Sequence, residues 1–292
     1  QAFIKEREKE KTIPGPFGDV VHLDIRHLGK KKIDKKLPFV RELTKNYVGI
    51  DPVYEPIPVR PVVHYMMGGI DTNIDCSTIL PGLFAAGECA CVSINGANRL
   101  GSNSLTEILV YGARAGQAAE VFAAEHSEIN LEALEKQGAD EYKRITRDFL
   151  QKDGGSERIA TLRKEMHQVM EQSVDIFRSE SGLKEACNKI EELKDRFSSI
   201  LIEDKSLIFN TELTSALELE NMIDVAESII FSALSRRESR GSHQRTDFAN
   251  RDDENFLRHS LAYRTEAESR IEYQDVVITK WPPAERIYGK EE

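Results

Sequence analysis

Three patches within a stretch of glycine and small residues carry side chains able to hold negative charge or hydroxyl groups. The first is His64-Tyr65-Met66-Met67-Gly68-Gly69, the second is Gly87-Glu88, and the third is Gly96-Ala97-Asn98-Arg99-Leu100-Gly101-Ser102-Asn103-Ser104-Leu105. A glycine-rich turn that feeds a helix attracts anions, because its first N–H groups lack partners and the helix dipole points its positive end there. Ser102, Asn103 and Ser104 add side-chain donors, and Arg99 adds a planar fork that can grip a carboxylate through two bonds. His64 can donate a hydrogen bond to a second carboxylate. Glu88, at the end of an apolar run, suits the acceptance of hydrogen bonds from sugar-like hydroxyls. Each also has a structural reading. A lone histidine after a proline-rich connection is more often a satisfied structural residue, a glycine-rich turn is often only a turn, and Arg99 could be a salt-bridge partner. No G-x-G-x-x-G fingerprint lies between a strand and a helix.

The elements that must position these residues follow from periodicity. Residues 1–60 read as the end of one α/β unit. There, Phe17 to Ile25 alternates as a strand with Val21, Leu23 and Ile25 on one face, and Arg26 to Tyr47 reads as helical with Leu37, Val40, Leu43 and Tyr47 near helical spacing. Asp51 to Pro61 contains Pro52, Pro56, Pro58 and Pro61, so it is expected to be extended and to mark a domain boundary. In residues 61–125, Leu83-Phe84-Ala85-Ala86 reads as a buried strand ending at Gly87-Glu88. Ser104-Leu105-Thr106-Glu107 fits a capping box opening a helix, with Leu105, Ile108 and Leu109 on its apolar stripe. Gly112 and Gly116 would let that helix approach a sheet closely.

Residues 126–241 read as an antiparallel helical bundle. Its first helix runs from Glu128 to Gln151. Ser156 is a candidate cap for a second, which carries Ile159, Leu162, Met166, Val169, Val174 and Phe177. A third carries Leu183, Ala186, Ile190, Leu193, Phe197 and Ile200. The fourth runs from about Glu212 through Leu213, Leu217, Met222, Ile223, Ala226, Ile229, Ile230 and Ala233, closing with Arg236, Arg237 and Arg240 and with Gly241 beyond. Residues 242–292 read as a small α+β region in which Arg270–Tyr273 and Asp275–Thr279 form a hairpin. Arg240, His243 and Arg245 are expected to form a structural network that satisfies carbonyls at the helix end, in preference to a second catalytic cluster.

Composition limits the function further. The net charge of −10, with acidic and basic residues interspersed, argues against a nucleic-acid partner. The run Lys30-Lys31-Lys32 with Lys35 and Lys36 reads as a solvated helix entrance. Cys76, Cys89, Cys91 and Cys187 match neither a zinc pattern nor C-x-x-C, and no metal site is expected. No apolar run is long enough to span a bilayer, so membrane association is expected only through partner subunits. Gln1-Ala2-Phe3-Ile4 reads as the interior of a helix without a cap, and the chain is expected to be a fragment that begins within a domain.

Taken together and in order, three blocks resemble the flavoprotein subunits of fumarate reductases and succinate dehydrogenases: Pro61 to Ile70, Gly82 to Glu88, and Asn95 to Leu105. The later runs Arg237 to Arg245, Arg251-Asp252-Asp253 and Trp281-Pro282-Pro283-Ala284 are also similar to that family, and the short connection from Ile70 to Gly82 looks more like the quinol:fumarate reductases. The resemblance implies an α/β plus all-α fold: part of a Rossmann-like FAD-binding domain and capping domain, then the bundle and the small terminal region. It implies that the substrate, fumarate or succinate, is bound by His64, Arg99 and Ser102. FAD would be held by His64, Tyr65, Glu88, Arg99, Asn103, Ser104 and Leu105. It further implies an iron–sulfur partner subunit, indirect contact with membrane anchor subunits and a quinone pool, and a peripheral position on the cytoplasmic face of the inner membrane. The family's dinucleotide fingerprint, its flavin-linking histidine and its proton-donating arginine find no counterpart here, so no residue of this chain is expected to be a catalytic acid. Alone, the chain is expected neither to retain FAD nor to turn over fumarate. A soluble L-aspartate oxidase-like enzyme and a non-enzymatic helical interaction module are the alternatives. The Trp281-Pro282-Pro283 extension favours the complex-forming enzyme over the first, and the second leaves His64, Glu88 and Arg99 unexplained.

Overall fold

The computed structural model describes residues 2–16, 18–126, 130–265 and 269–284, and the chain divides into two units, Gln1–Tyr65 and Met66–Glu292. Gln1, Phe17 and Glu128, expected as the starts of a helix, a strand and a helix, lie outside the described residues.

In the first unit, helix α1 (Ala2–Glu8) precedes strand β1 (Val21–Leu23), which pairs antiparallel with β2 (Ile57–Val59) in the register Val21↔Val59 and Leu23↔Ile57. The ladder is shorter than the alternation from Phe17 to Ile25 predicts. Its partner strand has Pro58 at the centre, Pro56 before and Pro61 after, and a proline cannot donate to a ladder. The stretch from Arg26 to Tyr47 is not one helix. It breaks into a 3₁₀ turn at Arg26–Leu28, α2 (Gly29–Lys36), α3 (Pro38–Leu43) and a π-helical turn at Thr44–Val48. Pro38 forces the break, because the residue before a proline is driven out of the helical region, and Leu37 sits at φ −133°. The buried face is consequently Ile33 and Thr44, whereas Tyr47 of the expected stripe is 83% exposed. Arg41 staples the turn by gripping Asp51 at 2.6 and 3.0 Å and Asp34 at 2.5 Å.

The second unit opens with β3 (Ile70–Asp71), paired parallel with β4 (Ala90–Cys91). Gly69 makes this pairing possible, since a Cβ there would lie 2.5 Å from the Cys89 carbonyl oxygen. The run Leu83–Ala86, expected as a strand, instead makes one bridge, Ser77↔Phe84, and the strand comes after the Gly87-Glu88 turn. Gly87 at φ +84° redirects the chain, and the Ala90 N–H closes the turn onto the Gly87 carbonyl. Helix α4 (Asn103–Glu125) buries only Glu107 among its residues, and its apolar Leu105, Ile108 and Leu109 are exposed. Among the described residues nothing lies within 4 Å of where a Cβ of Gly112 or Gly116 would sit, so no sheet approaches there.

The core of this unit lies among three helices. Helix α5 (Leu131–Ile145), capped by Asn130, continues into a π-helical turn at Thr146–Leu150. Then come α6 (Ile159–Ser173), α7 (Glu180–Phe197) and α8 (Thr211–Ser235). Leu162, Leu183, Ile190, Leu193, Leu219 and Ile230 are all at 0–1% exposure, each contributing about 1.5–3 kcal/mol by leaving water. Ser179 and Asn210 cap α7 and α8 by accepting from Gly182 and Leu213. Ser156 does not cap α6. Arg158 holds the cap position, and the Ser156 N–H donates instead to the Ser199 carbonyl after α7.

The chain leaves α8 at Arg236, in extended geometry, and not at Gly241. The Arg245 guanidinium takes over the last carbonyls, donating to Ala233 and Leu234 at 3.0 and 3.2 Å, so no left-handed glycine is needed. After α9 (Asp253–Phe256), strand β5 (Arg258–Tyr263) pairs antiparallel with β6 (Arg270–Asp275), from Arg258↔Asp275 to Tyr263↔Arg270. The expected pairing of Arg270–Tyr273 with Asp275–Thr279 is therefore replaced by a partner earlier in the chain. The hairpin leans on the end of α8, where the Tyr273 hydroxyl donates to the Ser235 carbonyl at 3.1 Å.

Candidate functional site

The loop from Ser93 to Ser102 carries the densest set of candidate groups, and three contacts hold it. At its start, the Ser93 hydroxyl lies 2.7 Å from Nε2 of His259 on β5. Burial pushes the His259 imidazole below its ordinary pKa, against an opposing pull from Asp71. In the middle, the Asn95 amide donates to the buried Glu107 carboxylate at 2.7 Å. Further on, the Ala97 carbonyl accepts two bonds from one residue, from the Ser242 N–H at 2.9 Å and from its hydroxyl at 2.7 Å.

These contacts overturn the expected capping box. Glu107 is 3% exposed and turned toward Asn95, and the residue at the cap is Ser102, in left-handed geometry (φ 67°) with no side-chain bond to the first turn. A non-glycine residue held there costs on the order of 1 kcal/mol, as does Ser93 at φ 69°. With no side-chain cap, the opening turn is closed by backbone instead, the Asn103 N–H donating to the Leu100 carbonyl at 3.2 Å and the Leu105 N–H to the Ser102 carbonyl at 3.1 Å.

Arg99 is half-buried, with Nη1 donating to the Leu100 carbonyl at 3.0 Å. Ser102 and Asn103 are exposed, Ser104 is half-buried and Leu105 is 61% exposed, so Arg99 to Leu105 form one continuous loop-to-helix surface. Glu88 is exposed, and one of its carboxylate oxygens accepts from the Met66 N–H at 2.9 Å. A Cβ on Gly87 would meet Ile108 at 3.2 Å, which sets the Gly87-Glu88 turn against the first turns of α4. The structure therefore brings Glu88, Arg99, Ser102, Asn103, Ser104 and Leu105 to the opening of α4. His64, exposed, and Tyr65, half-buried, are the last residues of the first unit. The groups present fit a flavin dinucleotide: an exposed Glu88 carboxylate to accept from hydroxyl groups, side-chain donors at Arg99, Ser102 and Asn103, and an exposed apolar Leu105.

The sequence reading missed Gly241, Ser242, Ser93 and His259 as contacts of this loop. Gly241 has a left-handed φ of 59°, and a Cβ on it would lie 2.6 Å from the Ala97 oxygen. Behind it stands a buried polar network. Glu238, at 0% exposure, accepts from Arg236 (2.6 Å), Arg240 (2.8 and 3.0 Å) and the Asp252 N–H (2.9 Å). His243 lies between Arg178 Nη1 at 2.7 Å and the Arg236 carbonyl at 3.0 Å, and burial pulls its pKa down to about 4. The local signals were Gly241 beyond the helix end and the polar run Arg240, His243 and Arg245, read as a structural network but not as a support of this loop.

Comparison with known proteins places the fold in a family. Residues 1–105 match a family model described as an FAD binding domain, and residues 163–288 match one described as fumarate reductase flavoprotein C-term. The fumarate reductase flavoprotein subunit of Mycobacterium tuberculosis is 53% identical over 99% of this chain and 50% of its own length. That of Escherichia coli is 49% identical over 100% of this chain and 48% of its own length. A solved E. coli quinol fumarate reductase variant superposes with a TM-score of 0.94 at 49% identity, over all of this chain and 50% of that one. The chain thus spans about half the length of the curated relatives it matches. It is a member of the fumarate reductase and succinate dehydrogenase flavoprotein family.

Proposed function

We propose that this chain works as the later half of a flavoprotein subunit that interconverts fumarate and succinate. The observation that carries the reading is Arg99, held half-buried on a glycine-rich loop that is tied down by Ser242 and runs directly into an uncapped helix start. Arg99 grips one substrate carboxylate with its planar fork, Ser102 adds a hydroxyl, and His64 donates to the other carboxylate. Gripping both ends orients the double bond and draws charge from it, so positioning and electrostatics supply much of the rate. When bound, FAD supplies the hydride chemistry. Glu88 holds hydroxyls of that cofactor, and His64, Tyr65, Arg99, Asn103, Ser104 and Leu105 complete its surroundings, with Ser104 and Leu105 setting α4 against the flavin ring. Electrons are exchanged with an iron–sulfur subunit and a quinone pool, with the flavoprotein attached peripherally to the cytoplasmic face of the inner membrane through its partners. No helix among the described residues is long and apolar enough to cross a membrane itself. Residues 1–60 serve as the end of a capping domain, 61–125 as part of the FAD-binding domain, 126–241 as the bundle and 242–292 as a small terminal domain.

Replacing Arg99 in the complete flavoprotein tests the reading. Loss of a desolvated carboxylate partner costs about 3–5 kcal/mol, so Arg99→Leu lowers fumarate reduction per bound flavin at least about a hundredfold. An unchanged rate in Arg99→Leu refutes the proposal.

A further inference from the structure

We propose that the turn Arg240–His243 is a positioning device for Arg99, in which Gly241 and Ser242 clamp the Ala97 carbonyl and so set the direction from which the guanidinium meets a carboxylate. The proposal rests on the substrate-gripping role assigned to Arg99 above. Only Asn98 separates Ala97 from Arg99, so a displacement of the clamped carbonyl is passed on through very little chain.

The turn is built as a rigid support. Its ends are closed by reciprocal backbone bonds, Arg240 N–H to the His243 carbonyl at 2.8 Å and His243 N–H to the Arg240 carbonyl at 3.0 Å. Arg240 is locked by Glu238 and by Asp253 at 2.5 Å, and His243 is locked by Arg178 and the Arg236 carbonyl. A buried ionic network of this kind adds less stability than apolar residues of the same volume, but its directional bonds define one geometry. What the network holds out is the tip of the turn. There Ser242 spends both its donors on one carbonyl, and Gly241 approaches so closely that no side chain fits. The Ser93 hydroxyl on His259 ties the other end of the same loop to the same terminal region. Two elements from beyond the bundle thus converge on the loop that bears Arg99.

The test uses the complete flavoprotein with malonate, a non-reacting dicarboxylate, titrated by calorimetry alongside flavin content, KM and kcat. Ser242→Ala removes one of two bonds to Ala97 and weakens malonate about fivefold, while Ser242→Thr, which keeps the hydroxyl, restores binding to within about twofold. Gly241→Ala drives a methyl into the Ala97 carbonyl, and a shift approaching an ångström weakens malonate and raises KM for fumarate about a hundredfold with flavin content unchanged. In an Arg99→Leu background, Ser242→Ala has no further effect on malonate, since the two act through one contact. Malonate binding within about twofold of wild type in Ser242→Ala overturns the proposal, and this variant decides the matter should Gly241→Ala fail to fold. Arg99→Leu separates the two ideas. If it binds malonate normally, the dicarboxylate reading itself falls. If it loses malonate while Ser242→Ala and Gly241→Ala do not, only the positioning role falls.

Discussion

Glu238 is the residue on which the terminal network converges, and Glu238→Gln is its sharpest perturbation. The side chain is fully buried, and its oxygens accept from two guanidiniums and one backbone N–H at 2.6–3.0 Å. Glutamine keeps the shape but removes the charge and turns an N–H₂ toward cations that are themselves only 13% and 16% exposed. Removing one partner of a buried ion pair costs about 3–5 kcal/mol, because the remaining charge stays desolvated. Here the loss falls at the low end, about 3 kcal/mol, because Arg240 keeps Asp253 and Arg236 keeps the Phe256 carbonyl at 2.8 Å. For a unit of this size that corresponds to a melting temperature lower by about 6–12 °C. Urea titrations of the chain, followed by far-ultraviolet circular dichroism, read the loss as a lower midpoint at unchanged slope. A loss under about 0.5 kcal/mol would mean that the two arginines are solvated well enough to stand alone, and the account of the network would be wrong.

Other outcomes follow from the same geometry. Burial, reinforced by Arg178, Arg236 and Arg245, holds the His243 pKa at about 4 in the fold against an ordinary 6.5, although the Arg236 carbonyl pulls the other way. Between those values the unfolded chain binds the extra proton. The stability owed to neutral His243 is therefore complete above pH 6.5 and declines by about 3 kcal/mol as pH falls toward 4. His243→Gln flattens that part of a stability–pH curve, and an unaltered slope argues against it. Asn210 both caps α8, accepting from Leu213 at 2.7 Å, and donates to the Asp204 and Ser206 carbonyls at 2.7 and 2.9 Å. Asn210→Ala accordingly costs about 2 kcal/mol in urea unfolding, whereas a loss of a few tenths would show that water replaces all three bonds.

The helices α6 to α8 were legible because their buried residues recur at helical spacing. Leu162, Met166 and Val169, then Leu183, Ala186, Ile190 and Leu193, are the residues the core encloses. Helix α8 was read less completely. It is apolar around much of its circumference, so the burial of Ala216 and Leu219 does not stand out from a stripe. What failed to show were choices made by distant partners. Ser104 and Glu107 carry the local signal of a capping box, but Asn95 offers Glu107 a better bond. Strand β5 reads Arg-His-Ser-Leu-Ala-Tyr, too polar at its start to announce itself beside β6. At the candidate site, Arg99 and the residues opening α4 were apparent because glycine, arginine and hydroxyl residues cluster in one short segment. Their support by Ser242 and His259 was not, because those contacts join positions 145 and 166 residues apart.

That separation has a consequence during synthesis. A ribosome adding about 5–20 residues per second needs about 7 to 30 seconds to travel the 145 residues from Ala97 to Ser242. For an interval of that length the loop that bears Arg99 is outside the exit tunnel without the turn that holds Ala97. A transcript cut short after α8 would encode every candidate ligand of substrate and flavin in this chain, yet its product would lack the Ser242 and His259 contacts of the loop and keep only the Asn95 bond to Glu107 of the three described. Damage to the end of the coding sequence should therefore disturb the candidate site together with the stability of the second unit, which loses Glu238 and the Arg245 bonds to the end of α8.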